Sequence, residues 1–402
     1  MDLATLSLER AKAAPLAIHL EPYRLNGDRG FLDGLFPYHQ NTGFPDLLLP
    51  YHRNIGSLSV TRTTVKEFTW ALPDSFKPMP NLRSLKLVGA GQDDWAQMTD
   101  PFDFSAHTLR ELSLCNIPLY PSFLSLRSLT ELELVTHDLD LHLDALLDFL
   151  EENPSLESVN LNIRFAEHSV RHSRRQDPIG NRLKRLSISC CSTDLRALLS
   201  AIALRRGAAL EIHGGWLVDI LSGLSVPHLR NPSSPTFMEY RTGSGAIRLV
   251  GPEGSFTYSG GGYGSGDTFR EFPLLPLDNI REFRFIGREL QVPEELHQLT
   301  FPSLEVLVIR ANSGPPVFPD SITPSLKTLA FLDCFILGGF MDELTRFASR
   351  RVEHTLAPLQ RVVIVCSSDD RHPSEASIAG LRRHVPVVEV IKGRGLPKDM
   401  LW

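Results

Sequence analysis

Leu82-Arg-Ser-Leu85-Lys-Leu87 and Leu109-Arg-Glu-Leu112-Ser-Leu114 are two copies of one phrase, a leucine, two residues, an aliphatic, one residue and another aliphatic. The phrase returns as Leu129-Thr-Glu-Leu132-Glu-Leu134, Leu156-Glu-Ser-Val159-Asn-Leu161 and Leu183-Lys-Arg-Leu186-Ser-Ile188. After a gap it resumes as Ile280-Arg-Glu-Phe283-Arg-Phe285, Leu304-Glu-Val-Leu307-Val-Ile309, Leu326-Lys-Thr-Leu329-Ala-Phe331 and Leu359-Gln-Arg-Val362-Val-Ile364. The copies start mostly 20 to 27 residues apart, the period of a leucine-rich repeat. The last two aliphatics of each copy are two residues apart and so share one side of a short strand, the side that must be buried.

Between strands the sequence turns helical or stays loop-like. Leu143, Leu146, Leu147 and Leu150 stand at helical spacing before Asn153-Pro154, and Leu195, Leu198, Leu199 and Ile202 form the stripe of a helix over 194–206 that Gly207 stops. Leu344, Phe347 and Val352, then Ile378 and Leu381, predict two further helices. Strands with one buried side and helices with one buried stripe predict an α/β leucine-rich-repeat solenoid. Such a horseshoe has a concave parallel sheet, with helices and loops on its convex side.

Residues 1–75 read as a capping region of atypical repeats, with strands at Leu16–Leu20 and Ile55–Val60. Repeats fill 76–226, lapse over 227–276 and return over 277–402, where the array is capped again. Within the lapse, Ala246–Val250 and Ser255–Tyr258 flank Gly251-Pro-Glu-Gly254, predicting an inserted hairpin. Gly260–Gly266 follows it. That run lacks the helix and the lysine of a phosphate cradle and reads as a loop.

The totals exclude more than they select. Lys and Arg number 41 against 47 Asp and Glu, a formal net charge of −6, which gives no electrostatic reason to bind nucleic acid or an anionic membrane. Cys115, Cys190, Cys191, Cys334 and Cys366 form no C-x-x-C pair and read as reduced, buried thiols. The opening residues lack the pattern of a secretory signal, and no apolar run approaches the roughly 20 residues of a membrane span. The expectation is a cytoplasmic or nuclear monomer without cofactor or metal.

Three motifs invite chemistry. His213-Gly-Gly-Trp216 resembles the oxyanion turn of some esterases, but no serine has glycines at both flanking second positions, so a hydrolase has no nucleophile elbow. His168 and His172 have metal-clip spacing but lie among Arg164, Arg171, Arg174, Arg175 and Arg182, whose charge opposes a cation. The forks of Arg171, Arg174 and Arg175 suit a phosphorylated or acidic partner instead.

Residues alternating with the buried aliphatics point out of the inner sheet. They are polar in the early copies: Ser84 and Lys86, Glu111 and Ser113, Glu131 and Glu133, Ser158 and Asn160, Arg185 and Ser187. They turn apolar at Val306, Val308, Ala330, Val363 and Val365. This wall either receives a protein partner or lies beneath the protein's own hairpin and Gly-rich loop, the latter favoured because exposed patches of that size are uncommon.

The repeats from Leu82 onward, with Pro80-Asn-Leu82, Pro154-Ser-Leu156 and Thr108-Leu-Arg-Glu-Leu112, resemble those of fungal F-box-like proteins. Leu8-Glu-Arg-Ala-Lys-Ala-Ala-Pro-Leu16-Ala-Ile-His-Leu20 is similar to the segment that follows the F-box helices in that family. The resemblance implies a non-enzymatic substrate-recognition repeat module, linked through an F-box to the adaptor of a cullin-type ubiquitin ligase. The matching segment starts almost at Met1, so no F-box is recognisable and no adaptor-binding residue is carried over. A repeat scaffold unrelated to ubiquitin is the alternative.

Overall fold

The period-two placement of aliphatics in the repeat phrase forces each copy into a strand with one apolar side, and the phrases do form consecutive strands. The structure, a computed structural model, describes residues 15–20, 49–63, 79–89, 108–141, 143–165, 182–189, 195, 198–199, 201–202, 204–214, 217, 235–260, 272–273, 275–287, 299–311, 323–333, 339–354, 356–366 and 372–392. The chain divides into two compact units, Met1–Arg205 and Arg206–Trp402. It is mixed α/β, with sixteen mostly parallel strands and few helices among the described residues.

In the first unit, β1 (Leu16–Leu20), β2 (Ile55–Thr63), β3 (Ser84–Gly89), β4 (Glu111–Cys115), β5 (Glu131–Leu141), β6 (Ser158–Phe165) and β7 (Arg185–Ser189) each pair in parallel with their sequence neighbour. The expected strands at Leu16–Leu20 and Ile55–Val60 are β1 and the start of β2, and both join the same ladder. Register stacks Leu85, Leu112, Leu132, Val159 and Leu186 in one row, and Leu87, Leu114, Leu134, Leu161 and Ile188 in the next. All ten are buried. Each such side chain contributes about 1.5–3 kcal/mol of burial. Helix α1 (Pro121–Leu124) is one short turn, and α2 (Leu143–Glu152) buries Leu143, Leu146, Leu147, Phe149 and Leu150. Asn153 ends α2, its Nδ2 donating to the Phe149 carbonyl at 3.0 Å. Of the helix expected over 194–206, residues 195, 198–199 and 201 are helical. Its stripe of Leu195, Leu198, Leu199 and Ile202 is buried.

In the second unit the strand order departs from chain order. Strands β8 (Ala208–His213), β9 (Phe237–Arg241), β10 (Ala246–Gly251) and β11 (Gly254–Ser259) run β8-β11-β10-β9, and β12 (Glu282–Gly287), β13 (Val306–Ala311), β14 (Thr328–Leu332), β15 (Arg361–Cys366) and β16 (Val387–Lys392) follow. Among the described residues, only β9/β10 and β10/β11 pair antiparallel. The hairpin read from Ala246 to Tyr258 is therefore present as β10–β11, but it is drawn into the sheet between β8 and β12 and is no flap over it. Gly254 makes that possible. At φ +136, a Cβ there would stand 2.2 Å from the Ala208 carbonyl oxygen, so only glycine lets β11 reach β8.

Helices α3 (Phe340–Glu353) and α4 (Glu375–Arg382) cover the core with Phe340, Leu344, Phe347, Ile378 and Leu381. Phe340 packs edge-on against Phe331 at 5.1 Å. Val352, expected in the apolar stripe, is instead 56% exposed. The buried residue beside it is Arg351, at 0%. Its guanidinium donates to the carbonyls of Pro324, Leu326 and Ala357 at 3.0–3.2 Å and to Thr323 Oγ1 at 3.5 Å, over the Phe347 ring. One side chain thereby ties α3 to the turns that start β14 and β15.

Candidate functional site

The strand register brings the outward side chains of the first unit into two polar rows. One reads Ser57, Ser84, Glu111, Glu131, Ser158 and Arg185 from β2 to β7, the other Ser59, Lys86, Ser113, Glu133, Asn160 and Ser187. Lys86, Glu111, Glu131 and Arg185 are exposed, and the serines and Asn160 are half-buried. This is the parity that the sequence predicts, because a parallel ladder without slips keeps every odd step on one face. Lys86 and Glu133, both singled out from sequence, lie two strands apart in one row with Ser113 between them.

Glu133 is the centre of this face. Ser113 Oγ donates to its Oε2 at 2.6 Å and Asn160 Nδ2 to its Oε1 at 3.2 Å, so neighbours on both sides fix the carboxylate. Cys115, on β4 in the next row, is half-buried, unlike the fully buried thiol expected, whereas Cys366 is buried. Burial pushes the Cys115 thiol above its ordinary range, the Glu133 carboxylate adds to the rise and Lys86 opposes it. Burial and Glu133 both favour the protonated thiol over the thiolate.

The apolar candidates lie in the second unit. Val308, Ala330 and Val363 follow one another in register on β13, β14 and β15, with Val306 in the row to one side and Val365 in the row to the other. Val308, Ala330, Val363 and Val365 are at most 3% exposed and form one apolar cluster, against which Val306, Leu332 and Ile391 pack. The sheet holds β9, β10 and β11 within its own plane, so those strands are not the cover expected over this wall. Ion pairs border it. Arg284 bonds Glu282 at 2.6 Å and lies over the Phe237 ring, and Arg361 bonds both Glu389 oxygens at 3.1 and 3.0 Å.

His213 ends β8, and Gly214 turns the chain away at φ +91. The His213 ring Nδ1 meets Ser259 Oγ at 2.7 Å. Sequence reading missed this contact, since 46 residues separate the two and only the β8/β11 register makes them neighbours. Gly215 and Trp216 fall outside the described residues, as do His168, Arg171, His172, Arg174, Arg175 and the Gly-rich run beyond Gly260. Among the described residues, no group of three or more His, Cys, Asp or Glu is placed to hold a metal, and no helix is long and apolar enough to cross a membrane.

No protein-family model matches the chain, and no curated protein sequence matches it.

Proposed function

We propose that this protein is a non-enzymatic protein–protein interaction module, a leucine-rich-repeat horseshoe of the F-box-like substrate-recognition kind that works in the cytoplasm or nucleus. The observation that supports it is the polar face of the first unit, where successive parallel strands present Lys86, Ser113, Glu133 and Asn160 in one unbroken row. A sheet face needs only one buried side for stability. The variable polar residues on the other side are free to be selected for a partner. A link to a cullin-type ubiquitin ligase rests on the resemblance of the repeats alone, and fold likeness by itself does not carry function.

The test is capture of a partner by a photo-crosslinking residue placed at Ser113. A partner that is captured there, lost in Glu133→Lys and kept in Arg383→Glu, an exposed position at the end of α4 in the second unit, supports the reading. Glu133→Lys must also leave the melting temperature near that of the parent chain. Labelling that ignores Glu133→Lys would overturn it.

A further inference from the structure

The two polar rows of the first unit carry their charge unevenly. Lys86 on β3 and Arg185 on β7 stand to the sides, while Glu111 on β4 and Glu131 and Glu133 on β5 fill the middle. Glu111 and Glu131 are directly in register on adjacent strands, about 4.8 Å apart across the ladder, and both are exposed. Glu133 follows Glu131 at about 6.7 Å along the same strand. Like charges set side by side cost a sheet stability. Among the described residues, no lysine, arginine or histidine makes an ion pair with any of the three.

The bonds that fix Glu133 come from neutral donors. Ser113 and Asn160 each take one lone pair, on Oε2 and on Oε1, and a carboxylate oxygen has two. One lone pair on each oxygen is therefore open on a carboxylate already held in place, the acceptor pair that the parallel N–H groups of a guanidinium meet. A single metal ion does not match this face, since no three His, Cys, Asp or Glu among the described residues are placed to hold one. Two separate cations do match it, at the spacing of alternate residues in an extended chain.

We propose, resting on the reading of this face as an interaction surface, that it takes an extended protein segment of the form Arg-x-Arg laid along β4 and β5. One guanidinium sits on Glu133 and the next between Glu111 and Glu131. Lys86 and Arg185 repel cations on either side, which confines the segment to the two middle strands and rejects one in which basic residues are spread more widely.

Titration calorimetry of the full chain with an acetylated and amidated peptide containing Arg-Ser-Arg tests this, beside the same peptide with citrulline at both arginines. The arginine peptide should bind about ten-fold more tightly or better, and it should weaken about five-fold in Glu133→Gln and about two-fold in Glu131→Gln. Lys86→Met removes a repulsive charge and should tighten binding about two-fold, a gain that a damaged fold does not produce. Equal binding of the two peptides, or an arginine peptide indifferent to all three variants, would overturn the proposal. Should the peptide fail while a partner crosslinked at Ser113 is still lost in Glu133→Lys, the arginine chemistry falls and the interaction surface stands. Should both fail, the surface falls with it.

Discussion

Ser113 on β4 donates a 2.6 Å hydrogen bond to Glu133 on β5, and Asn160 on β6 completes the grip from the other side. Three consecutive strands thus combine to hold one carboxylate. That arrangement sets the first expected outcome. Alkylation of Cys115, followed by mass spectrometry of its peptide, should reach half-maximal rate at a higher pH than a free thiol, because burial and Glu133 both favour the protonated form. Removing the negative charge in Glu133→Gln should lower that midpoint. Removing the positive charge in Lys86→Met should raise it. Shifts in the same direction for both variants would show that the two charges do not act on the thiol.

Leu112 and Leu132 are 2% exposed, in register with each other, at the centre of the first unit. Leu112→Ala and Leu132→Ala should each cost about 2–5 kcal/mol, the loss of transfer energy plus a cavity. Chemical denaturation measures this, and variants that unfold at the parent's midpoint would contradict the burial.

Val308 is 3% exposed within the apolar cluster of β13–β15. Val308→Asp should destabilise by about 3–5 kcal/mol, since it buries a carboxylate whose register neighbour Arg284 is already paired with Glu282. Thermal melting checks it. An unchanged melting temperature would mean that the wall is open to water in solution.

Arg351 is fully buried, and its guanidinium serves three backbone carbonyls and Thr323. Arg351→Met keeps the length but abandons those acceptors, and should cost about 3 kcal/mol or more. Arg351→Lys should recover only part, because one ammonium cannot span the sites that the planar fork reaches. Full recovery in the lysine variant would show that charge alone matters there.

The repeat phrase by itself determined the strands, their buried parity and the polar rows of the first unit. Each depends on neighbours one or two residues away and on a ladder that holds its register through the repeat phrases, its shifts falling outside them at Leu16/Ala17, Thr61/Thr63 and Val135/Asp140. The same local logic placed the β10–β11 hairpin, with its Gly254, and the stripes of α2 and α4. Val352 and Arg351 show where it failed. A helical stripe read by hydrophobicity chooses the valine, while the fold buries the arginine, because carbonyls of the turns before β14 and β15 converge on that point and the guanidinium satisfies them. The contact of His213 with Ser259 depended likewise on which strand lies beside β8. The sheet places β11 there, and glycine at 254 lets it approach the Ala208 carbonyl where a Cβ would clash. Tertiary structure also decided the fate of the apolar wall. Alternation told which way Val308, Ala330 and Val363 point, but burial at that face depends on what packs across it, and no spacing along the chain encodes that.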